Sequence, residues 1–245
     1  MISANRHIER HLQLRIAGIL FLAGVAGFLL SACDESPGTV DAGMKVPGVG
    51  STFSTHVVQG RNGETPVEGN FEVTVRATDM IVDGRERVAQ FASDTATSLV
   101  CYEPNGDISF YMKKGTIAGC EVDNTWLRFP LGGSGGISEA LPVMRRDATG
   151  AATQCLASWQ ASPAGEEEIT VGTETVRAQK SIAQFQFGSD SPDDTITRSR
   201  RYTVWYAPEL GYVVREEILS LQGVREPFDT IGFSRRELTR YSLSR

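Results

Sequence analysis

The chain has 245 residues, of which 30 are acidic and 24 basic, and its formal net charge at pH 7 is −6. A surface of this sign repels a phosphate backbone, so nucleic acid is excluded as a partner. Hydrophobic residues make up 40% of the chain, which is enough for one large β domain or two small ones with real cores.

Residues 1–32 have the three parts of an export signal. Arg6, Arg10 and Arg15 precede an apolar run over residues 16–30, and small residues follow it, as in secretory signal peptides. The run is shorter than the roughly 20 residues that a helix needs to span a bilayer core. Residues 1–32 are therefore predicted to be a signal peptide rather than a transmembrane anchor.

The segment ends in Leu30-Ser31-Ala32-Cys33. This sequence resembles the lipobox of bacterial lipoproteins, in which small residues precede a cysteine that receives diacylglycerol and becomes the first residue of the mature protein. The resemblance implies that Cys33 carries a covalent lipid, palmitate included, and that several acyl chains hold the protein durably on a membrane. No other cofactor is expected. The alternative is an ordinary cleaved signal followed by an unmodified cysteine.

Asp34 and Glu35 follow the cysteine of the lipobox. An aspartate in this position resembles the signal that retains enteric lipoproteins at the inner membrane, whereas other bacteria sort by other positions. We expect a protein anchored in the cell envelope and facing the periplasm, with the inner membrane favoured over the outer. Residues 33–45 are polar and contain Gly and Pro, which predicts a flexible tether.

From residue 46 onward, apolar and polar residues alternate in the manner of β-strands. The clearest segments are residues 71–77, 86–92, 97–103 and 211–221. Tight turns are predicted around Gly63, Gly84 and Gly106, each preceded by Asn or Asp, because these residues accept positive φ angles at little steric cost. The mature part is therefore predicted to be mostly antiparallel β.

Three short strings recur in the same order with steadily rising spacing, which is the pattern of collinear copies. They pair residues 46–50 with 129–133, 88–91 with 182–185, and 100–104 with 204–208. We interpret them as a duplicated antiparallel β unit, 46–125 and 126–245, that forms a duplicated sheet, a sandwich or a half-barrel. The alternative is chance similarity between short β strings. Polar stretches at residues 162–168 and 188–197 are predicted to be longer loops of the second copy.

The second copy contains the stretch TVWYAPELGYVVREE. Its part from Trp205 to Glu216 resembles a W-Y-x-P hairpin of secreted bacterial β-repeat domains of unknown function, some of which are related in shape to half-barrel lipoprotein carriers. The resemblance implies an apolar ligand held in a concave sheet. Trp205, Tyr206 and Tyr212 are then either ligand contacts or core residues packed on the sheet.

Most of the large aromatic side chains are predicted to be buried, leaving at most a narrow groove. The six considered are Phe53, Phe71, Phe91, Phe185, Phe187 and Trp205. Exposing all of them would cost on the order of 10 kcal/mol, which a typical domain cannot absorb comfortably.

Charged clusters are predicted to be solvated rather than functional. Arg198, Arg200 and Arg201 form the densest basic cluster, and a solvated strand face is favoured over a contact with anionic lipid. The acidic residues at 166–168 and 190–194 lack the spacing of a calcium loop and are expected to be loop tips.

Catalytic motifs are weak, and we expect no enzyme. Residues 132–136 match G-x-S-x-G, but no histidine follows Ser134, as the α/β-hydrolase order requires, and these small residues are better explained as a flexible link. His56 is the one histidine after the signal, and a lone histidine does not predict a metal site.

Three cysteines remain after the lipobox, and export would expose them to an oxidising compartment. Cys101 and Cys120 are the nearest pair in sequence, with Cys155 further on. A simple three-stranded meander would place the first two about 9 to 10 Å apart, beyond disulfide reach. A bridge between them therefore requires the segment after Gly115 to fold back.

Two functions remain open. The first is a non-enzymatic envelope lipoprotein whose β-rich domain binds a partner protein or supports envelope structure. The second is a carrier or receptor for an apolar ligand or acyl chain in a concave sheet. A large apolar cleft would favour the carrier, and a filled core with shallow surface pockets would favour the first.

Overall fold

The computed structural model describes residues 44–117, 120–132, 135–146, 152–188, 197–223 and 227–244. These residues form fourteen β-strands and no helix, which confirms the mostly β prediction. Within them there is consequently no helix with the length and apolar character to cross a membrane.

In chain order the strands are β1 (Thr52–Arg61), β2 (Val67–Val82), β3 (Arg85–Ala92), β4 (Thr97–Tyr102), β5 (Ile108–Met112), β6 (Gly115–Ile117), β7 (Cys120–Val122), β8 (Thr125–Phe129), β9 (Ile137–Arg146), β10 (Ala152–Val171), β11 (Glu174–Gly188), β12 (Thr197–Ala207), β13 (Tyr212–Gly223) and β14 (Asp229–Ser242). The predicted turns join β1 to β2, β2 to β3 and β4 to β5. Gly63, Gly84 and Gly106 have φ angles of 83°, 77° and 88° in them, as tight hairpins require.

All these strands belong to one antiparallel sheet in the order β6-β7-β9-β10-β11-β12-β13-β14-β1-β2-β3-β4-β5-β8. The sheet curls into a half-barrel. Although β8 and β10 are far apart in this order, Phe129 and Trp159 lie with ring centroids 5.1 Å apart, and Trp159 Nε1 donates to the Arg128 carbonyl at 2.8 Å. We call the face that these contacts enclose the concave face.

Large apolar side chains fill most of the concave face. Phe53 stacks on Tyr212 with a centroid separation of 3.9 Å, and Phe91 lies 5.6 Å from the same ring. Five of the six aromatics predicted to be buried are at most 5% exposed, which confirms the prediction for them. Phe71 is the exception at 37% exposed.

The packed apolar core on the concave face ends part-way along β1. Its residues alternate between the two faces, and on the concave face Phe53 and Thr55 are buried, Val57 is half-buried, and Gln59 and Arg61 are exposed. This gradient defines a filled end and an open end of the concave face.

The strand ends explain this gradient. Ala92, the last residue of β3, pairs with Thr74 of β2, which pairs with Thr52 at the start of β1. The wall made by β3 and β4 therefore ends level with the first residues of β1. Beyond Thr55 the concave face has no facing wall from these strands.

Both predicted units contribute to this one sheet, because β1 pairs with β14 and β5 pairs with β8. Within it, β3, β4 and β5 are consecutive neighbours, as are β11, β12 and β13. The duplication and its boundary between residues 125 and 126 stay a prediction.

The prediction of a loop at residues 162–168 is wrong. β10 continues through this stretch to Val171, with a register shift between Pro163 and Glu166. Glu166 forms an ion pair with Arg177, and Glu167 Oε1 lies 2.6 Å from Lys180 Nζ on the neighbouring strand. Cross-strand charge pairs of this kind stabilise a strand of acidic residues. The polar character of residues 162–168 is therefore not evidence for a loop.

Candidate functional site

A groove of about 940 Å³ occupies the open end of the concave face. We call it the open groove, and its walls are contributed by β1, β2, β12, β13 and β14. Ligand sites typically have volumes of about 300–1,000 Å³, so the open groove is large enough to hold a ligand.

One row of paired residues crosses the floor of the open groove. Arg61 of β1 pairs with Gly232 of β14, which pairs with Ser220 of β13, which in turn pairs with Arg200 of β12. Residues paired in this way share a face of the sheet. Two arginines therefore flank a floor made by a glycine, which has no side chain, and a serine, whose side chain is small.

Polar and apolar groups alternate around this row. Gln59 and Ser234 are paired on the inner side of the floor, with Ile218 beside them. Val67 is 64% exposed at the wall. The groove thus offers amide and hydroxyl groups together with apolar surface.

A second, small cavity of about 40 Å³ lies in the filled end of the concave face. Tyr102, Tyr206 and Tyr212 line it. Burial raises the pKa of Tyr102 and Tyr206 well above the usual range, so both phenols stay protonated. Tyr102 Oη donates to the Gly211 carbonyl at 2.8 Å, whereas Tyr206 Oη is buried without a hydrogen-bond partner among the described residues.

Replacing Tyr206 with phenylalanine is expected to raise the free energy of unfolding by about 1–2 kcal/mol, because it removes a buried hydroxyl that has no protein partner. Urea unfolding measures the change. Tyr102→Phe is the matched control and should lower the same quantity by about 0.5–1.5 kcal/mol, since its hydroxyl has a partner. If both variants are destabilised alike, the Tyr206 hydroxyl is satisfied and the structural assignment is wrong.

Arg236 connects the two regions. It lines the small cavity and pairs in register with Val57, one step along the concave face from Gln59. Its guanidinium lies 5.6 Å from the Phe71 ring centroid, and its Nη2 is 3.6 Å from Glu216 Oε2. The positive charge of Arg236 is therefore already balanced within the sheet.

Trp205 lies apart from the other two singled-out aromatics. Its ring is flanked by the Lys180 ammonium at 4.8 Å and the Arg215 guanidinium at 5.4 Å, and its Nε1 donates to Glu167 at 2.8 Å. Hydrogen bonds from Lys180 and then Trp205 lower the pKa of Glu167. The structure thus brings Tyr206 and Tyr212 together at the small cavity but places Trp205 among the charged side chains of Lys180, Arg215 and Glu167.

The predicted lipidation and sorting residues, Cys33, Asp34 and Glu35, lie outside the described residues, as does Ser134. Cys101 lies within them as a buried free cysteine whose thiol donates to the Glu86 carbonyl at 3.3 Å. Its strand β4 pairs with β3 and β5, whereas Cys120 begins β7 beyond β9 in the strand order. The structure contains no bridge at Cys101, and the segment after Gly115 folds toward β9 rather than β4.

The Cys101 thiol is expected to react slowly. Burial and the nearby Glu103 charge raise its pKa to about 11, so about 0.1% is thiolate at pH 8, and the thiolate is the reactive form. Iodoacetamide labelling followed by peptide mass spectrometry should find Cys101 unmodified until the chain is denatured. Labelling as fast as in urea, or a linked Cys101–Cys120 peptide, would contradict the buried free thiol.

His56 has local partners, and the acidic stretch predicted as a loop tip at residues 190–194 lies outside the described residues. His56 Nδ1 lies 3.0 Å from Asn70 Oδ1 and its Nε2 lies 3.7 Å from Glu68. The described part of the chain holds no group of three or more His, Cys, Asp or Glu side chains that could bind a metal ion.

The sequence interpretation missed the row that crosses the open groove. The sequence places Arg200 in a basic cluster, and Arg200 is exposed as predicted, but the residues around Arg61 give no sign of a binding role. Only the pairing of β12, β13, β14 and β1 places the two arginines on one floor. No local pattern contains that information.

The chain matches no protein-family model and no curated protein. It is similar to a Bacteroides fragilis protein, named as exported and as having a YmcC-like fold, with 13% identity and a TM-score of 0.38 over 81% of this chain and 98% of that chain. It is also similar to the hypothetical lipoprotein YmcC from Escherichia coli K12, with 11% identity and a TM-score of 0.36 over 87% of this chain and 95% of that chain. These similarities assign no role to any residue.

Proposed function

We propose that this chain is a lipid-anchored protein of the bacterial cell envelope whose β-sheet domain binds a partner, without catalysis, at the open groove. The lipobox at Cys33 supports the anchor. The observation that carries the binding role is the open groove itself, because the same concave face is filled at one end and vacant of core side chains at the other. Asp34 and Glu35 favour the inner membrane, with the domain facing the periplasm.

The anchor is tested by Cys33→Ala in the native host. The wild-type chain should incorporate labelled palmitate, and the variant should incorporate none because the thiol is the acceptor. Incorporation of label into the variant would show that Cys33 is not the lipidation site.

The binding role is tested by thiol footprinting in whole cells, on a chain whose natural cysteines after Cys33 are replaced by serine. Ser220→Cys places a probe on the groove floor, and a bound partner should slow its labelling relative to the purified protein. Arg201→Cys is the control, because Arg201 is exposed on the same strand as Arg200 but lies outside the open groove. Equal labelling of Ser220→Cys in cells and in purified protein would remove the proposed role of the groove.

A carrier of apolar ligands is the second candidate, and the small cavity beside Tyr206 is the observation that favours it. Its volume of about 40 Å³ is an order of magnitude below that of typical ligand sites. A carrier would therefore need the walls around Phe91 and Tyr212 to separate. Release of an acyl ligand on denaturing the protein purified from its native membrane would support this candidate over the first.

A further inference from the structure

We infer that the open groove binds an oxyanion, a phosphate or carboxylate group of its ligand, between Arg61 and Arg200. The inference deepens the proposed function and rests on it, since it names the chemistry that the groove recognises. Three features of the described residues carry it: the shape of the floor, the charge balance around the two arginines, and the neighbouring hydrogen-bonding groups.

The floor between the arginines is low enough for a ligand to approach the sheet. Gly232 has no side chain, and a Cβ atom built there would lie 3.2 Å from the Gly60 carbonyl oxygen, 3.8 Å from Ser220 Cβ and 3.9 Å from Arg61 Cγ. Both arginines rise from the same face on either side of Gly232 and Ser220. Their side chains are long, and the curl of the sheet inclines the concave face inward, so they border one shared space.

The charges of Arg61 and Arg200 are not neutralised by neighbouring strands. Other arginines of β13 and β14 have carboxylate partners: Arg215 with Glu237, Arg235 with Glu217, and Arg236 with Glu216. Within the described residues, no carboxylate lies within 4 Å of a guanidinium nitrogen of Arg61 or Arg200. Two uncompensated cations in one groove of an acidic protein attract an anion.

The acidic and hydroxyl groups nearest these arginines leave most of their donors available. Glu64 lines the groove from the turn after β1, and Arg200 interacts with the Tyr202 hydroxyl. A guanidinium has five N–H donors, and its planar fork matches the oxygens of phosphate and carboxylate in a bidentate way.

The remaining polar groups indicate a ligand with further hydrogen-bonding atoms. Ser220 and Ser234 offer hydroxyl groups, and Gln59 and Gln222 offer amides, along the same floor and walls. Val67 provides apolar surface at the rim. A charged group on a polar body fits this lining better than a purely apolar chain does.

Binding is measured by calorimetry on the acylated full chain in detergent micelles at low salt. The probes are inorganic phosphate, glycerol 1-phosphate as an anionic headgroup fragment, and acetate, with phosphocholine as a zwitterionic comparison. Arg61→Ala and Arg200→Ala should each weaken binding of the anionic probes about tenfold or more. Arg201→Ala removes the same charge outside the groove and should change affinity less than about twofold.

Gly232→Val blocks the floor without changing the charge, so it separates site geometry from general electrostatic attraction. It should also weaken binding about tenfold, and circular dichroism checks that the sheet is retained. If Gly232→Val unfolds, Ser220→Leu fills the same floor from the neighbouring strand and replaces it. If glycerol 1-phosphate binds more tightly than inorganic phosphate, the oxyanion belongs to a larger ligand such as a lipid headgroup. If the two affinities are equal, the ligand is a free anion.

The inference is overturned if no oxyanion binds, or if Arg201→Ala weakens binding as much as Arg200→Ala does. If the oxyanion probes do not bind but Ser220→Cys is still protected from labelling in cells, only the proposed oxyanion ligand is wrong. Loss of that protection removes the proposed binding role as well.

Discussion

Replacing Trp159 with alanine is expected to lower the free energy of unfolding by about 3–5 kcal/mol, the range for a fully buried large aromatic side chain. Trp159 is completely buried and lies within 5.1 to 5.6 Å of the Phe129 and Tyr202 rings. Its Nε1 also satisfies the Arg128 carbonyl on β8. The substitution would therefore leave a cavity and release the contact that closes the curled sheet.

Urea unfolding followed by circular dichroism measures this loss. Trp159→Phe is the matched variant, because it keeps an aromatic ring at the site but removes the N–H donor, and it should cost clearly less than the alanine variant. Phe71→Ala is the exposed control and should cost less than about 1.5 kcal/mol. A loss below about 1 kcal/mol for Trp159→Ala would show that the contact between β8 and β10 does not hold the half-barrel closed.

Replacing Asp107 with alanine should have the next largest effect, about 2–4 kcal/mol, because it removes a buried carboxylate that pairs with the half-buried Arg128 and accepts several hydrogen bonds. Asp107 is fully buried. Its carboxylate accepts hydrogen bonds from Arg128 Nε at 2.7 Å, from the Leu131 backbone N–H at 2.9 Å and from the Asn105 side chain at 2.9 Å. Removing it would leave these donors without their acceptor and free the chain after β8.

Thermal and urea unfolding measure this second effect. Arg177→Ala is the control, since it breaks an ion pair with Glu166 in which the arginine is 76% exposed, and exposed pairs contribute only about 0–1 kcal/mol. Asp107→Asn keeps an acceptor for the Leu131 N–H and should lie between the two. An Asp107→Ala variant as stable as Arg177→Ala would contradict the structural role of the buried carboxylate.

The part of the fold that could be predicted from the sequence is the part that depends on neighbours along the chain. The turns at Gly63, Gly84 and Gly106 were predicted because Asn-Gly and Asp-Gly favour the backbone angles of tight hairpins. The alternation over residues 71–77 and 86–92 likewise lies within β2 and β3. These signals need no knowledge of the rest of the molecule.

Pairings between distant segments could not be predicted in the same way. A simple meander would pair β5 with the segment that follows Gly115, yet β5 pairs with β8 while β6 and β7 continue toward β9. The acidic stretch at 166–168 is held in β10 by basic residues of β11. In both cases the partner strand decides the structure, and tertiary contacts override local preference.

The residues of the candidate site likewise differ in how far the sequence could predict them. Tyr206 and Tyr212 were singled out because they are close together in one hairpin, and they do meet at the small cavity. Arg61 and Arg200 are far apart in sequence and share one floor only through three strand pairings. A binding floor built across a sheet in this way has no linear motif.

The position of β1 beside β14 has a consequence for folding kinetics. These strands are the first and last of the described chain, yet they are neighbours in the middle of the sheet, and the Ser244 N–H donates to Ser51 Oγ at 3.0 Å. Contacts of such long sequence separation make folding slow. Until β14 arrives, β1 and β13 each present an unpaired edge of the kind that promotes aggregation. A chain that is synthesised from its N-terminus therefore keeps one edge of β1 unpaired until β14 has been made, so a chaperone that covers this edge in the meantime would reduce aggregation.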